Sequence, residues 1–110
     1  MRQPVLAENV CHGRGVVLKA IATRSADSLE RARANHPDID VHDDLFDLTG
    51  RDDIDVVDVV VPNALHFPVV QLVLEAGKHV LVEKPLALSV EQCQELVQLA
   101  AARGLTIAVA

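Results

Sequence analysis

The sequence predicts an α/β protein built on a doubly wound parallel sheet. Two observations carry that prediction. Short β-branched runs alternate along the chain with longer stretches of helical periodicity. The runs are also nearly unbroken in their apolar character, as strands covered by helices on both faces must be.

The elements follow in order. Pro4 to about Val10 reads as the end of a helix, and Gly13 and Gly15 as the turn after it. Val16-Val17-Leu18-Lys19-Ala20-Ile21-Ala22 is a buried strand. Ser25 or Asp27 caps a helix through Leu29 and Ala32 to about Asn35, and Pro37 stops it. Ile39 to His42 is a weak edge strand, and a short helix from Leu45 to Leu48 ends at Gly50. Val56-Val57-Asp58-Val59-Val60-Val61 demands a strand covered on both faces. Asn63 caps a helix that runs to Ala76 with Leu65, Val69, Leu72, Val73 and Ala76 on its apolar stripe; Gly77 ends it. His79 to Val82 is the next strand. Ser89 and Gln92 form a capping box for a helix carrying Leu96, Val97, Leu99 and Ala100, which stops at Gly104. Thr106 to Ala110 is the last strand.

Composition narrows the function. The 110 residues fit one domain. A net charge of −6 and the lack of Trp and Tyr argue against a nucleic-acid partner, which would need clustered cations or stacking aromatics. Nine Asp lie between Asp38 and Asp58 with only Arg51 against them, and they read as a solvated edge. A calcium loop counted from Asp38 fails, because Asp43 stands where Gly is needed and Thr49 where Glu is needed. His36 and His42 with Asp38 and Asp40 are not read as a metal site, and His12 and His79 are taken as surface or packing residues. Cys11 and Cys93 form no paired motif, which suggests a reducing compartment. No apolar run reaches the length of a membrane span and no signal-peptide core is found, so a cytoplasmic, membrane-free protein is expected.

Ligands of such sheets bind beyond the carboxyl ends of the strands. The residues there are Thr23-Arg24-Ser25, then Pro62-Asn63-Ala64-Leu65-His66, then Glu83-Lys84-Pro85, and they are expected to line one rim. Two of these groups lie in a longer pattern. Val61-Pro62-Asn63-Ala64-Leu65-His66, followed by the run from Glu75-Ala76-Gly77-Lys78-His79 through Glu83-Lys84-Pro85-Leu86-Ala87, resembles the Gfo/Idh/MocA family of nicotinamide-dependent oxidoreductases. The likeness extends from Val16 to Ala110.

The resemblance implies an N-terminal Rossmann domain, followed in the family by an α+β substrate domain. It implies hydride transfer between NAD(P) and a carbinol or carbonyl of a sugar, inositol or related polyol, by a protein that assembles as a homo-oligomer. Lys84 matches the lysine that assists proton transfer beside the nicotinamide ribose, and Glu83 a residue near the nicotinamide end. Pro85 matches a proline often preceded by a cis bond. Pro62, Asn63 and His66 match the cofactor-contacting loop. The non-enzymatic alternative is a nucleotide-sensing regulatory relative, against which the retained Glu-Lys-Pro speaks.

Residue chemistry adds two expectations. A lysine that exchanges protons needs partial burial or neighbouring cations to favour its neutral amine. Lys84, between Leu81-Val82 and Pro85-Leu86, is expected to be partly desolvated, with Glu83 opposing. For Asn63 and His66, a plain helix cap is the structural alternative. An NAD-specific fold places an acid after the strand that ends here at Ala22, to bind the ribose 2′-hydroxyl. Thr23, Arg24 and Ser25 stand there instead, and an Arg with a Ser suits a 2′-phosphate, so NADP(H) is expected over NAD(H).

The pattern breaks at the phosphate loop. His12-Gly13-Arg14-Gly15 precedes a strand, whereas the Gly-rich fingerprint must follow one. Residues 1–110 are therefore expected to be a partial NAD(P)-binding domain without its first strand, its Gly-rich loop or its substrate domain. The absent strand would belong between the Val16 and Val56 strands.

Overall fold

Two parallel sheets organise residues 17–110, the part of the chain that the computed structural model describes. The expected helix near Pro4, Cys11, His12, the glycine turn and Val16 lie outside those residues. The described chain divides into two units, one ending at Ile54 and the other spanning Asp55–Ala110.

In the first unit, β1 (Ala20–Ala22) pairs in parallel with β2 (Asp40–His42), Ile21 opposite Val41. The Thr23 amide donates to the His42 carbonyl at 3.0 Å and carries the ladder one residue further. Both strands are shorter than their apolar runs. Pairing on one side over three residues defines β1, and Val17, at 70% exposure, lies outside it. Between them runs α1 (Ala26–Asn35), whose cap is Ser25: its hydroxyl accepts from the Ser28 amide at 3.1 Å, and Asp27 sits in the first turn. The helix ends before Pro37 as expected. The following α2 (Leu45–Thr49) begins at an Asp44 carboxylate that accepts from the Phe46 amide, and ends at Gly50. Ile21, Ala32, Leu48 and Ile54 are buried here.

In the second unit, β3 (Val56–Val59), β4 (His79–Val82) and β5 (Ile107–Val109) pair in that order, all parallel. Asp58 stands opposite Leu81, and Leu81 opposite Ala108. A 3₁₀ turn (Asn63–Leu65) leads into α3 (His66–Glu75), and α4 (Val90–Arg103) precedes β5. The strands advance in one direction across the sheet. Right-handed crossovers then place both helices on the same face. Hence α3 packs on β3 and β4, and α4 packs on α3.

That one-sidedness corrects the expectation for the valine strand. Val57 and Val59 are buried at 8% and 2%, but Val56 on the opposite face is 55% exposed. The strand also ends two residues early, at Val59. The stripe of α3 is shifted as well. His66, Val70, Val73 and Leu74 point inward, while Leu65 is exposed. On α4, Leu96 and Ala100 are buried and Val97 is not.

The helix ends follow local chemistry. Ser89 Oγ accepts from the Gln92 amide at 3.2 Å, while Gln92 Oε1 reaches back to the Leu88 amide rather than to that of Ser89. Gly77 and Gly104 adopt φ of +83° and +66°, where a side chain would be strained. Arg103 Nη1 donates to the Leu74 and Glu75 carbonyls, closing the end of α3 with a cation from α4. His79 Nδ1 accepts from the Thr106 amide at 3.0 Å and extends the β4–β5 pairing sideways.

Leu74 is wholly buried under these elements. Leu74→Ala is expected to cost about 2–5 kcal/mol, from lost transfer energy plus the cavity left behind. Ser89→Ala removes one cap bond and is expected to cost about 1 kcal/mol. Urea unfolding of both variants checks the order: equal midpoints would mean that the core assignment is wrong.

Candidate functional site

Parallel pairing brings the carboxyl ends of β3, β4 and β5 to one edge of the second unit. Chain leaving β3 reaches Pro62, whose carbonyl accepts from the Leu65 amide at 2.8 Å. This backbone turn replaces the expected side-chain cap. Asn63 makes no cap bond; it opens the 3₁₀ turn and is exposed. Pro62 holds φ near −55°, which suits the start of such a turn.

His66 begins α3 and is the most informative residue at this edge. Its ring is 2% exposed. Nε2 faces the Val61 carbonyl at 3.0 Å, and Nδ1 faces the Pro85 carbonyl. The ring thus spans from the exit of β3 to the exit of β4. The cofactor contact expected of His66 meets a ring whose two nitrogens already face backbone oxygens.

Glu83, Lys84 and Pro85 follow β4, all exposed. The Lys84–Pro85 bond is cis, matching the feature expected of Pro85. The Lys84 amide donates to the Ala110 carbonyl at 3.1 Å, and the Ala110 amide donates to the Val82 carbonyl at 2.9 Å. The backbone of Lys84 is therefore held by the chain just past β5, and that of Pro85 by His66. The expected desolvation of Lys84 is not found. Of the flanking apolar residues only Val82 is fully buried; Pro85 is exposed like the lysine, and Lys84 projects beyond the strand end.

One residue passed over in the sequence lies on the sheet face opposite α3 and α4. Asp58 is half-buried, and both carboxylate oxygens are buried without a hydrogen-bond partner. Burial, and secondarily the negative charge of Glu83, push its carboxyl up to about 6. The signal was legible: Asp58 is the only charge in a run of valines.

In the first unit, Thr23 follows β1 with only 6% exposure, and its Oγ1 is buried without a partner. Arg24 is exposed beside it, and the Ser25 hydroxyl is engaged as the α1 cap. An orphaned hydroxyl, an exposed guanidinium and a helix N-terminus on consecutive residues fit an anionic or hydroxyl-bearing ribose group. No Gly-x-Gly-x-x-Gly turn occurs among the described residues, so the groups that would hold a pyrophosphate are not assigned to them.

The acidic edge of this unit is organised by Arg51. Its guanidinium binds Asp53 through Nε at 2.9 Å and Nη2 at 2.8 Å, and Asp40 through Nη1 at 2.8 Å. Nη1 also lies 3.2 Å from His42 Nε2. This bidentate partner holds the Asp53 carboxyl down to about 2.

Comparison with known proteins gives a consistent picture. The family described as oxidoreductase family, NAD-binding Rossmann fold (Gfo/Idh/MocA) matches residues 1–110. A protein named glycosyl hydrolase family 109 protein, from Shewanella putrefaciens, is 41% identical over 84% of this chain and 22% of its own length. The structure of GenD2 from gentamicin A biosynthesis in complex with NAD superposes with a TM-score of 0.91 at 29% identity, over 99% of this chain and 31% of that one. Biliverdin reductase from Synechocystis sp. PCC 6803, with biliverdin and NADP+, gives 0.85 at 28% identity, over 94% and 32%. Apo scyllo-inositol dehydrogenase from Lactobacillus casei gives 0.84 at 28% identity, over 96% and 32%. The chain thus spans about a fifth of the length of that curated relative. No helix among the described residues is long and apolar enough to cross a membrane.

Asp58 makes stability depend on pH. Between its ordinary value of 3.8 and about 6, the folded chain keeps a proton that the unfolded chain has released. Stability is therefore highest at the acid side of that window and falls as pH rises through it. Asp58→Asn is expected to raise stability near neutrality by about 1–2 kcal/mol, discounted for partial exposure, and to change little near pH 4. Denaturation midpoints measured across that range check it; a uniform shift at every pH would contradict it.

Proposed function

The chain belongs to the Gfo/Idh/MocA oxidoreductase family, and from that premise we propose that it forms the nucleotide-binding part of an enzyme acting on a sugar, inositol or related polyol. The reaction is hydride transfer between NAD(P) and a carbinol or carbonyl carbon. The observation that carries this reading is the Glu83-Lys84-Pro85 turn: an exposed lysine on a backbone pinned by Ala110 and by the His66 contact. The inositol dehydrogenase among the structural neighbours supports the substrate class. The family's description as oxidoreductases favours an enzyme over a nucleotide-sensing regulator.

In this reading the nicotinamide, when bound, supplies or receives the hydride. Lys84 does the accompanying proton work. Its ammonium hydrogen-bonds the reacting oxygen and either gives it a proton or, as the neutral amine, takes one. Because Lys84 is exposed among the described residues, the substrate itself contributes to excluding water from the amine. Glu83 lies at the same strand end and bears on the charge of that region. Pro62 and Asn63 form the neighbouring lip, with the Asn63 amide available to a ribose hydroxyl or carboxamide. At the adenosine end, Thr23, Arg24 and Ser25 hold the ribose. Arg24 favours a 2′-phosphate, so NADP(H) is preferred to NAD(H). A homo-oligomer in the cytoplasm is the state we expect of the whole protein.

A second reading has a specific basis. The 41% identical relative is named as a glycosyl hydrolase, so cleavage of a glycoside is the alternative reaction. The two separate on substrate. Steady reduction of NADP+ by free polyols supports the dehydrogenase. Release of nitrophenol from a nitrophenyl glycoside without net cofactor reduction supports the hydrolase.

Two outcomes are expected for the protein that carries these residues. Lys84→Met should lower kcat by about 10²–10⁴-fold while leaving NADPH affinity nearly unchanged, and Lys84→Arg should not restore it, because guanidinium does not release its proton. Arg24→Ala should weaken NADPH by about tenfold with little effect on NADH, read by cofactor fluorescence. Equal loss for both cofactors, or tighter NADH than NADPH in the parent, would reverse the cofactor assignment.

A further inference from the structure

We propose that His66 is a positioning residue that fixes the Lys84 turn from behind and does not itself touch the cofactor; this rests on the proton-handling role given above to Lys84. Three observations lead there. The ring is 2% exposed, so it presents almost no surface to a ligand. Both nitrogens face main-chain oxygens, those of Val61 and Pro85, which lie 5 and 19 residues away in sequence. Those oxygens lie past the ends of β3 and β4.

The geometry defines a lever. Lys84 has two backbone anchors: its own amide on Ala110, and the next residue's carbonyl on His66. The first holds the turn to β5 on one side. The second ties it to β3 on the other. A side chain on a turn held at one side only can swing, and a misplacement of about 1 Å at a reacting group can cost about 100-fold in rate. Removing the ring also removes its N–H, so the carbonyl that accepts it is left unpaired in a buried position, which the chain can relieve only by moving toward water.

Two substitutions in the protein that carries this chain separate positioning from contact. His66→Leu keeps much of the volume and removes the ring N–H. His66→Gln keeps an N–H donor but on a longer, more flexible side chain. The Leu variant is expected to speed hydrogen exchange at the Lys84 amide by about tenfold or more. It should lower kcat by about 10–100-fold. The Kd for NADPH should stay within about threefold of the parent, and the Gln variant should recover part of both effects.

A loss of NADPH affinity above about tenfold with unchanged Lys84 exchange would overturn the proposal, since it would mean direct contact. Unchanged exchange and unchanged kcat in the Leu variant would overturn it too. Should His66→Leu fail to fold, His66→Gln decides alone: intermediate exchange and kcat support the strut, and parent-like values of both refute it. The exchange measurement needs no turnover. If Lys84→Met proves fully active, the catalytic reading of Lys84 falls while the strut is still judged by exchange.

Discussion

Parallel register in the second unit governs what the sheet can present. Once Val57 pairs with Val80 and Val80 with Ile107, all strand carboxyl ends lie on one edge, and each must be left by a turn. Strand pairing stops there, but main-chain oxygens do not lose their need for donors. The exits from β3 and β4 meet that need differently. Pro62 uses its carbonyl to start a 3₁₀ turn, whereas Val61 and Pro85 turn theirs to a histidine ring. The Lys84 amide is satisfied from the far side by Ala110.

The same register makes the two faces unequal. Two crossovers of one hand lay α3 and α4 on a single face, so Val57, Val59, Val80 and Val82 are closed in while Val56 is open. Asp58 belongs to the same face as Val56, but its carboxylate oxygens are buried. An ionised carboxylate there sits without a donor, and the fold tolerates it by favouring the protonated form up to about 6. Arg51 shows the opposite solution. Its pairing with Asp40 and Asp53 settles two of the nine crowded aspartates and leaves Asp53 ionised far into acid.

What was legible in the sequence was local. Ser25 and Ser89 cap as expected because a cap involves a side chain and an amide three residues away. Gly77 and Gly104 take left-handed conformations that few other residues accept. The parallel pairing followed from apolar runs and their spacing. The phase of α3 was not legible, because Val69, Val70, Leu72, Val73 and Leu74 spread apolar surface around most of the helix. Periodicity cannot choose a face when several would serve. The cap expected of Asn63 failed for a related reason: a proline carbonyl in the right place does the same work. The residue types of the Glu-Lys-Pro turn could be read, but not its supports, since those depend on atoms of Val61, Pro85 and Ala110 that every residue possesses.

This distribution of duties bears on which side chains remain for chemistry. A strand end that used Asn63 as its cap and Lys84 as a donor to nearby carbonyls would bind both in structural hydrogen bonds. Here the backbone of the Pro62 turn, the imidazole of His66 and the carbonyl of Ala110 carry the structural bonds. One buried ring set between two carbonyls is economical, because a single ordered side chain packs against both strand exits. The exposed amide of Asn63 and the ammonium of Lys84 are thereby kept at the edge with backbones that are fixed and ends that are not. A group that must accept and release a proton gains from that arrangement: its position is set by the sheet, while its nitrogen is left for the reacting oxygen.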